Sequence, residues 1–258
     1  MKKLRIGMVG AGNIANVHLN AYQTLDNVEI AAICDINAER LNETADLFNI
    51  EKKYATEAEM LANEQLDAAD VCVWNCNHAK CTIDALDAGL HVLCEKPMCV
   101  NRKEAEKLQE AARKEGVFLM EAMWTKFLPV IQEVKKLLDA GAVGEILGIE
   151  ASFGFWNPFD EKARLYNKQL GGGALLDVGI YPLNLACFLM GKLPVKTESQ
   201  AVLGETGVDE INAMLLTFEQ ENGKGSGGAS QCLQSFPGMQ CLDLRHQRKN
   251  LDSVLFQC

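Results

Sequence analysis

The sequence predicts an α/β protein: a parallel, doubly wound N-terminal sheet, then a C-terminal α+β domain with an open, mostly antiparallel sheet. Three observations predict it. A glycine-rich turn, Gly10-Ala11-Gly12-Asn13-Ile14-Ala15, joins the first apolar run to a helical pattern. Strand-like and helix-like segments then alternate as far as residue 121, and beyond it strand-like runs follow one another without intervening helices. Alternation implies right-handed crossovers and parallel pairing, whereas consecutive strands imply antiparallel pairing.

Residues 4–9 read as a buried strand, and behind the loop Ile14, Val17, Ala21 and Leu25 recur at helical spacing. In such a loop Gly10 allows the tight turn, Gly12 lets the backbone approach a pyrophosphate, and Ala15 permits close helix packing. The amides of Asn13 and Ile14, at the helix start, face the anion. Residues 28–34 form a second strand ending at Asp35, roughly 20 residues beyond the loop, where an acidic side chain accepts ribose hydroxyls. A loop that merely turned the chain would leave Asp35 unexplained, so this is a Rossmann-type dinucleotide site. Asp35 repels a 2′-phosphate and no arginine immediately follows it, which favours NAD, while Arg40 keeps NADP open.

Residues 37–48 read as a helix, 53–54 as a short strand, 57–62 as a helical turn, 69–74 as a buried strand and 79–88 as a helix closed by Gly89. The apolar run at 91–94 stops at Glu95-Lys96-Pro97. Proline fixes its own φ and pushes the preceding residue toward an extended conformation, so Lys96 is held at the carboxyl edge of a strand, where ligands collect. The competing reading is a solvated turn with a surface salt bridge. Residues 101–115 carry the clearest helix signals: Asn101 as cap with Glu104 three residues on, a Glu110–Lys114 pair, and Gly116 at the end. Residues 117–120 close the first domain as a strand.

In the second domain, 127–140 is an amphipathic helix with Pro129 near its start, and 146–155 alternates like a half-buried strand. A loop at 156–168 carries Trp156, Arg164 and Tyr166; Gly171-Gly172-Gly173 then leads into a helix reaching Met190, and strands follow at 199–203 and 211–218. Asp177 and Tyr181 are four apart and share a face if the helix has begun. A tyrosine beside a lysine is a workable acid/base pair, because the cation favours the phenolate. A core tyrosine and a helix-capping aspartate are the competing readings. His78 reads as a helix-start residue or a cofactor-edge contact, and His18 as a helix-surface residue; Trp74 and Trp124 either line the nicotinamide pocket or simply pack.

Length allows about two domains at roughly 150 residues each. Hydrophobic content of 48% and charge of 23% are those of a globular chain, and a net charge of -10 argues against nucleic acid or an anionic membrane as partner. Ten cysteines without a CxxC pair indicate reduced, cytosolic usage and no zinc site. The N-terminus lacks a signal peptide's long apolar region, and no uninterrupted apolar run of about 18 residues suggests a spanning helix.

Together the GAGNIA loop, Asn75 and His78, the AGLHVLCEKPM run, EAMWTKFLP (121–129) and GGGALLDVGIYPL (171–183) resemble the Gfo/Idh/MocA oxidoreductases, over positions 4–222. The nearest resemblance is to the branch of dimeric dihydrodiol and xylose dehydrogenases. It implies that Lys96 contacts the reacting hydroxyl or carbonyl, that Asp177 and Tyr181 complete the catalytic set with Tyr181 as proton carrier, and that Asn75, His78, Glu95 and Lys96 border the cofactor. Trp124, Trp156 and Arg164 are candidate contacts to a small polyhydroxylated substrate. A C-terminal sheet whose open face makes a homodimer is also implied; no metal is.

Val73-Trp74-Asn75 departs from the family's Thr-Pro-Asn, placing a bulky ring beside the cofactor loop. From Gly223 onward the glycine-rich Lys-Gly-Ser-Gly-Gly run looks unable to hold strand register. The expected organisation is therefore 1–121, 122–222 and an aberrant, frame-shifted or weakly ordered tail at 223–258, with an exposed sheet edge and self-association. The function expected is hydride transfer between nicotinamide and a small polyol, sugar or trans-dihydrodiol; the alternative is a catalytically silent dinucleotide-binding protein.

Overall fold

A computed structural model describes residues 3–144 and 146–219 and the backbone of 227–234. The chain divides into two units, Met1–Met123 and Trp124–Cys258, against expected boundaries at 121 and 222. Unit 1 runs β1 (Leu4–Val9), α1 (Asn13–Tyr22), β2 (Val28–Cys34), α2 (Ala38–Leu47), β3 (Lys53–Tyr54), α3 (Glu57–Asn63), β4 (Ala68–Val71), α4 (Asn75–Asp87), β5 (His91–Cys94), α5 (Arg102–Glu115) and β6 (Leu119–Glu121). Its sheet is parallel, in the order β3-β2-β1-β4-β5-β6. The order reverses between β1 and β4, and that crevice is where dinucleotides bind in such sheets.

Both faces of this sheet are covered, which is why its strands read as continuous apolar runs. Alternate residues serve opposite cores. Met8, Ile33 and Cys72 pack with Ala15, Leu19, Leu41 and Ala45 of α1 and α2. Val9, Cys34, Val71 and Val92 pack with Met60, Leu86 and Leu108 of α3, α4 and α5. Burying each large apolar side chain contributes roughly 1.5–3 kcal/mol. Burial also pushes the Cys34 and Cys94 thiols up to about 12, so they behave as protonated core residues.

The junction of β4 and α4 differs from expectation. β4 stops at Val71, and α4 starts at Asn75 rather than 79, with Trp74 as its extended N-cap residue. The first turn of α4, Asn75-Cys76-Asn77-His78, is polar and carries no helical period of its own. α5 keeps its predicted cap: Glu104 donates its backbone N–H to the Asn101 side chain at 3.0 Å, and Gly116 ends it at φ 67°.

Unit 2 contains α6 (Pro129–Asp139), β7 (Gly148–Glu150), a π-turn at Leu175–Gly179, α7 (Ile180–Met190), β8 (Lys196–Leu203), β9 (Asp209–Phe218) and β10 (Gly227–Gln234). The sheet order is β7-β10-β9-β8, antiparallel except for β10 with β7. Ala186 of α7 packs on Met214, Leu216 and Phe218, so one face of β9 is core. The strand expected over 146–155 shortens to three residues.

The tail expectation needs correction. Residues 227–234 form β10, paired with β9 from Gly227↔Phe218 to Gln234↔Ile211, and β10 also pairs with β7. β9 is therefore no edge, because pairing on both sides sets a register that glycine-rich sequence alone leaves weak. The rest of the expected aberrant tail, 223–226 and 235–258, lies outside the described residues.

The stretch Lys168–Met190 is apolar and long enough to cross a membrane by length and composition. It is interrupted by a glycine run and a π-turn, and it carries the buried Asp177 in an ion pair. Those features, with Leu185 and Ala186 buried, are those of a core helix.

Candidate active site

In unit 1 the dinucleotide crevice is built from backbone constraints. Gly10 sits at φ +103°, and a Cβ there would lie 2.5 Å from the Cys72 carbonyl oxygen. Only glycine lets the end of β1 pass so close to the end of β4. α1 opens at Gly12 with no side-chain cap and no acidic residue in its first turn, so the first amides, including those of Asn13 and Ile14, have the geometry of an anion site. Asp35 is tied to the same loop, one carboxylate oxygen accepting from Ala11 N–H at 2.8 Å and the other from Asn37 N–H at 2.7 Å. The Arg40 guanidinium reaches the loop as well, 3.9 Å from where a Cβ on Gly12 would be. These residues fit a nicotinamide dinucleotide, NAD or NADP. The loop leaves room for a pyrophosphate, and the acid stands at the end of β2.

Lys96 follows β5 at the carboxyl edge of the sheet, as expected, and its peptide bond to Pro97 is cis. Glu95 is buried, and one of its oxygens accepts the Lys96 N–H at 2.9 Å. Both carboxylate oxygens of Glu95, a residue expected beside the cofactor, also have partners within the protein. The second oxygen meets His18, whose Nε2 lies 3.1 Å from Glu95 and whose Nδ1 lies 2.8 Å from Asp70. His18 is therefore not the surface residue that was expected. Its partners come from β4 and from the end of β5, and helical spacing cannot reveal them. Burial alone would lower its pKa, but hydrogen bonds and charge from Asp70 and Glu95 outweigh burial and raise it to about 10.

Asn75 is buried in the first turn of α4, and Trp74 is half exposed beside it. His78 is 1% exposed, with Nδ1 2.7 Å from the Pro97 carbonyl and Nε2 2.9 Å from the Val73 carbonyl. His78 thus lies in the first turn of α4. Its ring straps α4 to the Lys96-Pro97 turn. Burial lowers its pKa, partly offset by the two carbonyls.

In unit 2 the π-turn at Leu175–Gly179 delivers Asp177, and α7 starts one residue before Tyr181. Such wide turns recur at functional sites. The Asp177 carboxylate accepts from Arg164 Nη2 at 2.8 Å, and the Arg164 charge is matched inside the unit. The Tyr181 hydroxyl accepts from the Trp124 indole N–H at 3.2 Å, and its ring meets the rings of Trp124 and Phe153 edge-on at 5.7 and 5.3 Å. An oxygen that accepts from the indole directs its own proton elsewhere. Trp156 is exposed, whereas Tyr166 is buried and donates to the Asn157 carbonyl at 2.7 Å.

Phe153 and Asp209 were not anticipated. Asp209 accepts the Leu175 N–H at 2.7 Å, and a Cβ on Gly173 would lie 2.3 Å from its other oxygen. The third glycine of the GGG run is thus explained by a carboxylate. A small apolar cavity lies here, lined by Phe155, Tyr166, Gly173, Asp177 and Asp209.

Comparison with known proteins agrees with both halves. Residues 4–123 match the profile of the oxidoreductase family with an NAD-binding Rossmann fold, and residues 131–236 match the GFO/IDH/MocA C-terminal domain, a match that extends over β10. A trans-1,2-dihydrobenzene-1,2-diol dehydrogenase of Xenopus laevis is 35% identical over 215 residues, covering 82% of this chain and 64% of that relative. The chain thus spans under two thirds of that relative's length. Among solved structures, KijD10, a 3-ketoreductase of Actinomadura kijaniata in complex with NADP and TDP-benzene, aligns with TM-score 0.79 and 30% identity over 91% of this chain and 70% of its own. An aldose-aldose oxidoreductase of Caulobacter crescentus complexed with glycerol aligns with TM-score 0.80 and 28% identity over 90% and 70%.

Proposed function

The chain belongs to the Gfo/Idh/MocA oxidoreductase family, and from that premise we propose that it transfers hydride between NAD and the carbinol carbon of a small polyol, sugar or trans-dihydrodiol. Bound nicotinamide supplies the hydride acceptor or donor. Lys96 polarises the reacting oxygen and Tyr181 moves the hydroxyl proton, while Asp177 holds its place through Arg164. The single observation that carries this reading is Tyr181. Its oxygen accepts from Trp124, so its own proton is directed elsewhere, as a proton carrier requires. The relatives that act on dihydrodiols and aldoses support a small hydroxylated substrate.

The experiment is nicotinamide absorbance with a panel of aldoses, inositols and trans-dihydrodiols. Turnover of at least one class supports the reading; tight NADH binding with no turnover of any would replace it with a silent dinucleotide-binding protein.

Asp35, fixed by the Ala11 amide, favours NAD. NADH is expected to bind more tightly than NADPH in fluorescence titrations, and Asp35→Ala to narrow the gap. Equal or tighter NADPH binding would assign Arg40 to a 2′-phosphate. A cytosolic location and a homodimer formed through the C-terminal sheet belong to the same proposal.

A further inference from the structure

We propose that His18 is a positioning residue for Lys96: it bridges Asp70 and Glu95, and so holds the Glu95 carboxylate where it fixes the backbone amide of Lys96. This rests on the reading that Lys96 acts on the substrate oxygen. Asp70 and Glu95 are 1% and 5% exposed and belong to adjacent strand ends, β4 and β5. Two buried carboxylates so placed need a cation, and a lone one left behind is costly. Among the described residues, His18 is the one basic side chain bonded to either. Its Nδ1 lies 2.8 Å from Asp70 and its Nε2 3.1 Å from Glu95, so a doubly protonated ring donates to both. Glu95 then accepts Lys96 N–H with its other oxygen at 2.9 Å, completing a chain from α1 to the candidate catalytic lysine.

The surroundings favour a proton over a metal ion, although His18, Asp70 and Cys72 lie close enough together to hold one. Tyr22 O–H donates to Asp70 at 2.8 Å, and Cys72 S–H to the other Asp70 oxygen at 3.5 Å. Burial raises the Tyr22 and Cys72 pKa values, so both keep their protons, whereas a metal would need the thiolate. Each ring nitrogen of His18 already faces a carboxylate. Cys94 and His78 are further titratable neighbours: burial pushes the Cys94 thiol up to about 12 and lowers the His78 pKa, which the nearby Glu95 charge partly offsets.

The test compares His18→Phe, His18→Gln, Glu95→Gln and the His18→Phe/Glu95→Gln double variant, each by kcat across pH and by NADH fluorescence titration. His18→Phe is expected to lower kcat at least about tenfold, because small misplacements of a reacting group are costly, while the NADH dissociation constant changes less than about threefold. His18→Gln keeps one donor and should recover part of the loss; should the Phe variant fail to fold, the Gln variant decides, with a kcat below the parent's. Without the cation, protonation of one carboxylate is favoured, so the kcat profile should gain an ionisation between about pH 5 and 8. The double variant should be no slower than the slower single one, since both act through one chain. Parental kcat with a parental profile in a folded His18 variant, or additive losses, would overturn the proposal. Lys96→Met, run alongside, separates the two failures. If it turns over normally, the reading of Lys96 is wrong; if it is inactive while the His18 variants are parental, this inference alone is wrong.

Discussion

Tyr181 and Lys96 carry the residue-scale argument, because each has a surrounding that fixes its backbone or its proton. Lys96→Met and Tyr181→Phe are expected to lower kcat by about 10²- to 10⁴-fold, the usual contribution of acid/base groups, and to leave NADH affinity nearly intact. Loss of affinity instead would make the residue a binding one. His18 gives a second expectation, in stability. Its pKa is raised in the folded protein, from 6.5 to about 10. A protonated ring is therefore favoured by folding, so its contribution is fully present below pH 6.5 and is lost as pH rises through 10. Urea unfolding should show the parent losing on the order of 2 kcal/mol across that window, after discount for solvent screening, and His18→Gln losing less. An equal slope for both proteins would show that the bridge is not ionic.

Among the elements, those legible in the sequence are the ones whose signals are local. β1, β2 and β5 are apolar runs with glycine or an acid at the end, and α5 announces its cap with Asn101 and its stop with Gly116. What escaped depends on partners remote in sequence. β10 is glycine-rich and becomes a strand because β9 and β7 lie on either side of it. The first turn of α4 is polar, and His78 within it is buried against the carbonyls of Val73 and of Pro97, the latter remote in sequence. Asp177 and Tyr181 are singled out by their four-residue spacing and by the family resemblance, yet the π-turn between Leu175 and Gly179 and the Arg164 partner leave no periodic trace. That turn can be tested through Gly173, which combines φ +117° with a Cβ position 2.3 Å from the Asp209 carboxylate. Gly173→Ala should displace Asp209 from the Leu175 amide, cost about 2 kcal/mol by thermal or urea unfolding, and lower kcat more than it weakens NADH binding. A loss of NADH affinity equal to the loss of kcat would mean that the damage is not confined to unit 2.

For the molecule as a whole, the open question of assembly turns on the face of the second sheet turned away from α7. Asn212, Met214, Leu216 and Phe218 of β9 are buried, while Ala213 and Leu215 are exposed on the opposite side, the alternation expected of a sheet covered on one face. β8 is an edge strand exposed along its whole length. Val202 pairs with Ile211 across the strands, so Val202, Ile211, Ala213 and Leu215 make one apolar strip, beside the Lys196–Glu198 ion pair. A strip of that kind on a chain with net charge -10 is suited to a second copy rather than to a nucleic acid or an anionic membrane. Two-fold pairing would place the same strip against itself, with each Lys196 available to a partner carboxylate. Sedimentation velocity at micromolar concentration should therefore show a dimer. Leu215→Glu should shift it toward monomer by placing like charges face to face in an apolar contact, and it should do so without changing the dinucleotide affinity of unit 1. A parent that sediments as a monomer at tens of micromolar, or a Leu215→Glu variant that dimerises as the parent does, would remove this face as the interface.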